Sequence, residues 1–359
     1  LGCLSGGLVH LPVACNDCLT LCLIHGSISL YLLFLLYPNK KARRRTAAAP
    51  LMMLLRSLRS GVLDHSDARL GKMWECPDFF QLGSKRVLIC SPQDMKAQKY
   101  EFHNGHNSVY FLGDYDEKTH TFVKELPHAL DYGMDFYAPQ TTELPDGRRI
   151  MIAWMKSWDA CVIPNSQVWQ GMMTLPRELE LKDGKIWQTP MREIEKYHKN
   201  PCRYDHAEIN QETTLCGIEG RTIDLTVLLE EDEFQTFSMK LAANKEYETS
   251  FTYHKAENML EIDRTYCGVT KDVVCVRKLK ISNPEGLKKM RFILDRQSIE
   301  LFLNDGEQVA TTAICTPLEA QEIHFCSDKK MHINVEKYDI MSASEKNAFM
   351  HSANDEIIE

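Results

Sequence analysis

Between Leu70 and about His198, apolar residues fall in short runs of strand length. Among them are Arg86-Val87-Leu88-Ile89-Cys90, Ser108-Val109-Tyr110-Phe111-Leu112-Gly113 and Arg149-Ile150-Met151-Ile152-Ala153-Trp154. Turn signals separate these runs: Pro145-Asp146-Gly147 and Lys182-Asp183-Gly184-Lys185 have hairpin chemistry. A second stretch alternates more plainly. In Thr222-Ile223-Asp224-Leu225-Thr226-Val227 every second residue is apolar. Ser298-Ile299-Glu300-Leu301-Phe302-Leu303 runs into the turn Asn304-Asp305-Gly306, and Val309-Ala310-Thr311 returns. Between the two stretches, Lys196-Tyr197-His198-Lys199-Asn200-Pro201 is polar and carries a proline. The pattern predicts an all-β chain. It places one β domain over 61–197, a linker over 198–204, a β-sandwich over 205–340 and a polar tail over 341–359, short helix or frayed. Periodicity leaves sandwich, barrel and propeller open for the first domain.

Residues 1–60 differ. Leu19 to Pro38 is almost continuously apolar, and Asn39-Lys40-Lys41-Ala42-Arg43-Arg44-Arg45 follows. Length and basic flank fit a membrane anchor over residues 19–37. The charge follows the apolar run, so a cleavable signal peptide does not fit. His25, Gly26, Ser27 and Ser29 interrupt the run and favour a pair of buried strands instead.

Composition narrows the class. A chain of 359 residues with 44% hydrophobic and 26% charged residues fits two soluble domains. A net charge of -8, with no basic stripe, argues against a nucleic-acid partner and suits a neutral or sugar ligand. The 13 cysteines are scattered, and Cys90, Cys275 and Cys315 sit singly in apolar runs. That spacing fits reduced core thiols in a cytoplasmic protein rather than a disulfide scaffold. Cys15-Asn16-Asp17-Cys18 has no second pair at ligand spacing, so no metal site is expected. His103 and His106 lack an obvious third ligand and are expected in a solvated loop.

The chemistry concentrates in Met73-Trp74-Glu75-Cys76-Pro77-Asp78-Phe79-Phe80-Gln81. Glu75 lies beside Trp74, Pro77 and Phe79, and Asp78 follows three residues on. An apolar flank raises a carboxyl pKa, as a general acid requires. An acid beside a tryptophan also occurs in purely structural settings. The tetrad Glu-Cys-Pro-Asp is more specific: Trp74-Glu75-Cys76-Pro77-Asp78 resembles the acid/base signature of glycoside hydrolase family 32, the invertases, fructanases and sucrose-6-phosphate hydrolases. Further blocks are similar to that family: Leu130 to Thr141, Arg148 to Met155, Trp169 to Leu179 and Ile293 to Gly306. The resemblance runs from about Gly61 to Ile340.

It implies a five-bladed β-propeller, incomplete here, followed by a C-terminal β-sandwich. It implies a retaining hydrolase of β-D-fructofuranosides (sucrose, sucrose 6-phosphate or fructan) with Glu75 as acid/base. Cys76 and Asp78 would tune Glu75, and Asp135 and Tyr137 would support the sugar site. Trp154 and Trp169 are candidates for stacking on sugar, with core packing the competing role. Arg177 suits a structural salt bridge better than a ligand, and Arg148, Arg149 and Lys156 are candidate phosphate cations.

The family's nucleophile is an aspartate in an Asn-Asp-Pro-Asn-Gly motif, and a third aspartate lies in Arg-Asp-Pro. Neither motif is intact. Asn16-Asp17 is the remnant, which makes Asp17 the candidate second carboxylate, at either of those two positions. Gly2-Cys3-Leu4-Ser5-Gly6-Gly7 precedes it and favours the second. Most of the first two blades is expected to be absent or scrambled, as in a truncated or frame-disturbed gene product. The alternative function is an inactive relic or carbohydrate-binding protein of the same fold. A two-carboxylate mechanism needs no cofactor. The expected partner is a small sugar, with the sandwich a possible homo-oligomer surface and no membrane association.

Overall fold

The computed structural model describes residues 62–66, 69–155, 171–269 and 273–342. Asp17, Cys15, Cys18, Lys156, Trp169, the apolar run 19–37 and most of the tail lie outside the described residues. Among the described residues no helix is long and apolar enough to cross a membrane.

The first part is two antiparallel meanders. One runs β1 (Met73–Leu82), β2 (Lys85–Gln93), β3 (Val109–Asp116), β4 (Thr121–Lys124), with β5 (His128–Ala129) paired to β3. The other runs β6 (Tyr137–Glu143), β7 (Arg149–Trp154), β8 (Arg177–Lys182), β9 (Lys185–Pro190). The turn between β8 and β9 places Asp183 and Gly184 at φ 51° and 71°, the two left-handed positions of a type I′ hairpin. β2 is covered on both faces, which explains its unbroken run of buried residues. Val87 and Ile89 join a core shared with Met151, Ala153, Leu179 and Ile186 of the second meander. Leu88 and Cys90 face the opposite way, toward Val109, Phe111 and Phe102. Two four-stranded meanders packed face to face through one shared core are propeller blades.

A single 3-10 turn, Arg192–Tyr197, leads into the sandwich. Its strands are β10 (His198–Thr213), β11 (Ile223–Leu229), β12 (Thr236–Ala243), β13 (Thr249–His254), β14 (Met259–Asp263), β15 (Val276–Lys280), β16 (Lys289–Asp295), β17 (Ser298–Leu303), β18 (Gln308–Ala313) and β19 (Glu322–Ile340). The order is β15-β14-β13-β12-β19-β11-β16-β17-β18, with β10 on β19. The strand β19 pairs with β12 along its first part, with β11 along its last and with β10 along both. Phe237, Phe251, Phe292, Leu225 and Leu301 fill the core.

Residues 198–204, expected as a linker, form the start of β10. They are polar because this strand exposes much of its length, and they stay paired through register slips. Pro201 falls within the first slip, between Lys199 and Cys202, where a missing N–H removes no ladder bond.

The propeller part docks onto β18. Tyr132 N–H donates to Val309 O, and Met134 N–H and Asp135 N–H both donate to Thr311 O. The chain thereby covers the edge that β18 would otherwise present. Gly133 is required here, since a Cβ would collide with the Thr311 backbone. Beside this contact Arg177 is fully buried. It donates to Glu300 Oε2 (2.7 Å), to Asp131 Oδ2 (3.0 Å) and to Thr311 Oγ1 (2.6 Å). The structural reading of Arg177 is therefore the one the fold adopts. Arg148 is likewise enclosed by Asp146, Glu178 and Glu193, and Arg149 meets Glu143 and Thr141. These carboxylates offset the charge that a phosphate would need, so neither arginine is a free phosphate ligand.

Arg177→Met leaves Asp131 and Glu300 buried without their cation and should cost about 3–5 kcal/mol in urea denaturation. Replacing all three residues by apolar ones of similar volume should cost less than the single change. The reverse order would rule out the uncompensated-charge account.

Candidate active site

Glu75 and Asp78 lie three apart on β1, and in a regular strand they would face opposite sides. A β-bulge prevents this. The register with β2 slips between Glu75 and Asp78, and Cys76 takes φ 47°. Pro77 sits in the bulge, where no ladder bond is asked of it. The extra residue turns both carboxyls toward β6. Trp74 stays on the other face: its ring packs 5.5 Å from Phe111, and Nε1–H donates to Leu70 O. It is therefore not the desolvating flank of Glu75 that adjacency in sequence implies, and Pro77 is exposed.

Glu75 meets Tyr137. The phenol, 1% exposed, donates to Glu75 Oε2 at 2.8 Å and approaches Ser91 O at 3.2 Å. Burial, and then the Glu75 carboxylate, push the Tyr137 pKa far up, so it stays a phenol over any working pH. The β6 strand carries its own bulge, between Tyr137 and Gln140, with Ala138 at φ 50°. Ala138 N–H donates to Ser91 Oγ, and Gln140 Nε2–H donates to the Cys76 carbonyl. The two bulges are thus tied to each other through β2.

Asp78 Oδ2 accepts from Thr141 N–H (2.8 Å) and Thr141 Oγ1–H (2.6 Å). Burial raises its pKa against the lowering effect of those two bonds and of Arg149. Cys76 is buried, its carbonyl held by Gln140. Trp154 is half-buried and lies directly across from Tyr137 in the β6–β7 pair. Gly171 packs against its indole, since a Cβ there would lie 3.0 Å from Nε1. Asp135 goes elsewhere. It is completely buried, and its Oδ2 accepts from Arg264 Nη1 and from Ala313 N–H in the sandwich. Its carboxyl is a domain-docking group in this arrangement, two residues from Tyr137 but directed away from it. Asp17 lies outside the described residues.

Two residues escaped the sequence reading. His106, expected in a solvated loop, is 8% exposed and sets its ring edge-on to Tyr137 at 5.6 Å. Ser91, fully buried, anchors both Tyr137 and Ala138.

The chain matches the family description "Glycosyl hydrolases family 32 N-terminal domain" over residues 57–190 and "Glycosyl hydrolases family 32 C terminal" over 193–342. The chain belongs to glycoside hydrolase family 32. A sucrose-6-phosphate hydrolase of Staphylococcus xylosus is 33% identical over 276 residues, covering 75% of this chain and 55% of the relative. A raffinose invertase of Escherichia coli is 32% identical over 267 residues, covering 73% and 54%. The chain thus spans about half the length of the curated relatives it matches. Among solved structures, a family 32 sucrose-6-phosphate hydrolase of Lactobacillus gasseri superposes with TM-score 0.69 at 26% identity, covering 79% of this chain and 57% of the other. The Bombyx mori family 32 β-fructofuranosidase gives 0.66 at 26%, covering 78% and 57%. The architecture is that of the family, β-propeller followed by β-sandwich.

Asp78 fixes a sign for pH dependence. Burial raises its folded pKa above the ordinary aspartate value of about 3.9, so the folded state holds this proton more tightly than the unfolded chain does. Its contribution is therefore fully present below that value and is lost as pH rises through the folded pKa. Relative to Asp78→Asn, the wild type should lose stability between pH 4 and pH 7, measured by urea midpoints at both. A difference that grows in favour of the wild type would show that the Thr141 bonds outweigh burial.

Proposed function

We propose that this chain carries the acid/base half of a retaining β-fructofuranosidase site, with Glu75 as the acid and then the base. The observation that carries the reading is the Tyr137–Glu75 hydrogen bond at the junction of two bulges. The phenol that donates to Oε2 fixes the orientation of the Glu75 carboxyl, which would present its acid proton to the departing oxygen. In the first step Glu75 would protonate the departing glycosidic oxygen while a second carboxylate, about 5 Å away, attacks the anomeric carbon. Tyr137 would then stabilise the new Glu75 carboxylate, which in the second step removes a proton from water. The substrate class is β-D-fructofuranosides, supported by the names of the relatives: sucrose-6-phosphate hydrolase, raffinose invertase and β-fructofuranosidase. A silkworm family 32 variant has been solved in complex with sucrose. Asp78, Cys76 and Trp154 would shape the wall of this site.

A second reading has its own support. The carboxyls of Asp78 and Asp135 are occupied by Thr141 and by Arg264 and Ala313. The nucleophile must therefore come from elsewhere, Asp17 being the candidate, or this chain is an inactive or carbohydrate-binding member of the family.

The test is release of fructose from sucrose and sucrose 6-phosphate by the folded chain. On the first reading Glu75→Gln lowers kcat by about 10²–10⁴. The loss in kcat/KM, which reports the first step, should be much smaller on an aryl fructofuranoside, whose leaving group needs no protonation. Tyr137→Phe should shift the pH profile of kcat while KM changes little. No turnover from folded wild type supports the second reading, and equal losses of kcat/KM on both substrates remove Glu75 from the role of acid.

A further inference from the structure

A cluster on the sandwich, unconnected with hydrolysis, has the composition of a metal site. His206, Glu230 and His332 each place one ligand atom within 4.8 Å of the other two. They are far apart in sequence, which is why no spacing motif announces them. The fold assembles them from three segments. His206 lies in the second register slip of β10, between Tyr204 and Ala207. His332 is on β19, paired with Glu208. Glu230 directly follows β11, and its N–H donates to the His332 carbonyl. The bulge aims His206 at its neighbours instead of letting it alternate away. Its N–H donates to Asn334 Oδ1, and Asn334 Nδ2–H donates to Glu230, so the frame is held by amides around the cluster.

The two imidazoles stack at 3.9 Å with an interplanar angle of 2°. Each ring has a carboxylate at Nδ1: Glu230 at 2.9 Å for His206, and Asp232 at 3.1 Å for His332. A carboxylate only accepts, so each Nδ1 carries a hydrogen. In the neutral rings both lone pairs then lie on Nε2, in two parallel planes that share no point, so one ring must turn out of the stack before both can meet one ion. Asp232 also accepts from His332 N–H, which fixes both backbone and ring. This is the carboxylate–histidine arrangement that orients metal-bound imidazole.

We propose that His206, His332 and Glu230 bind one divalent transition-metal ion of the zinc, cobalt or nickel class, with Asp232 orienting His332. Two imidazoles and one carboxylate suit these ions and not calcium or magnesium, which take oxygen ligands alone. Bonds of about 2.1 Å require ligand separations near 3.4 Å for a tetrahedral ion, so atoms within 4.8 Å of one another close by at most about 1.4 Å. His206 can supply that movement, since its side chain is 66% exposed, against 21% for His332. Its ring would swing off Glu230, freeing that carboxylate to become the third ligand.

The probe is Co²⁺ titrated into the whole chain and followed by absorbance, with circular dichroism confirming that each variant is folded. The expected result is one saturable site with visible d–d bands and no thiolate charge-transfer band in the near ultraviolet. His206→Ala, an exposed change, should abolish it, and Asp232→Asn should weaken it about 10–100-fold. Zn²⁺ should displace the cobalt. A thiolate band would place the metal on cysteine and overturn the proposal. So would binding unaltered in His206→Ala and His332→Ala, or an absence of saturable binding, which would leave the cluster a surface hydrogen-bond network.

Discussion

A buried guanidinium governs this structure. Arg177 belongs to a propeller strand, yet two of its partners, Glu300 and Thr311, belong to the sandwich. A fully buried arginine is tolerable only when carboxylates surround it, and those carboxylates are tolerable only while the arginine stays. The two parts therefore cannot separate without exposing or orphaning three charges. The same contact fixes the segment from Asp131 to Tyr137. Its first residues lie against β18, with Asp131 bonded to Thr311 and Asp135 to Arg264. Its last residue donates to Glu75. Sandwich docking and the placement of the phenol on Glu75 are thus two ends of one short piece of chain.

The strands were legible because their physics is local. Alternation, the Asp183-Gly184 hairpin and the Asn304-Asp305-Gly306 turn each depend on residues within a few positions of one another. The choice of propeller over barrel came from the Glu-Cys-Pro-Asp resemblance, since period-2 patterning does not encode how sheets are arranged. Where the sequence misled, the deciding partner was distant. Residues 198–204 look like a linker until they are seen against β19, where Asn200 bonds Asp339 across 139 positions. His106 looks solvated until Tyr137 is brought to it.

The candidate site shows the same limit more sharply. The motif singled out Glu75, but the surroundings of Glu75 were not readable from it. Strict alternation sends Glu75 and Asp78 to opposite faces and counts Trp74 as a neighbour of the acid. One inserted residue in the ladder reverses both conclusions. Proline after a cysteine in the left-handed region is the local trace of that insertion, visible as a bulge only once the register with β2 is known. The histidine cluster on the sandwich has no local trace at all, because three separate segments contribute one residue each.

The strand β19 also has consequences in time. Among the described strands of the sandwich it is the last to leave the ribosome, and β10, β11 and β12 all pair with it. Until it emerges, strands made more than a hundred residues earlier in the case of β10 wait with open edges and an uncovered apolar face. Closing such distant pairs is slow, because the loop entropy is spent before the contacts form. Synthesis of this domain therefore passes through a vulnerable interval that ends with a single late event. Chaperone occupancy and aggregation in the cell should be set by how quickly that final strand finds its slot.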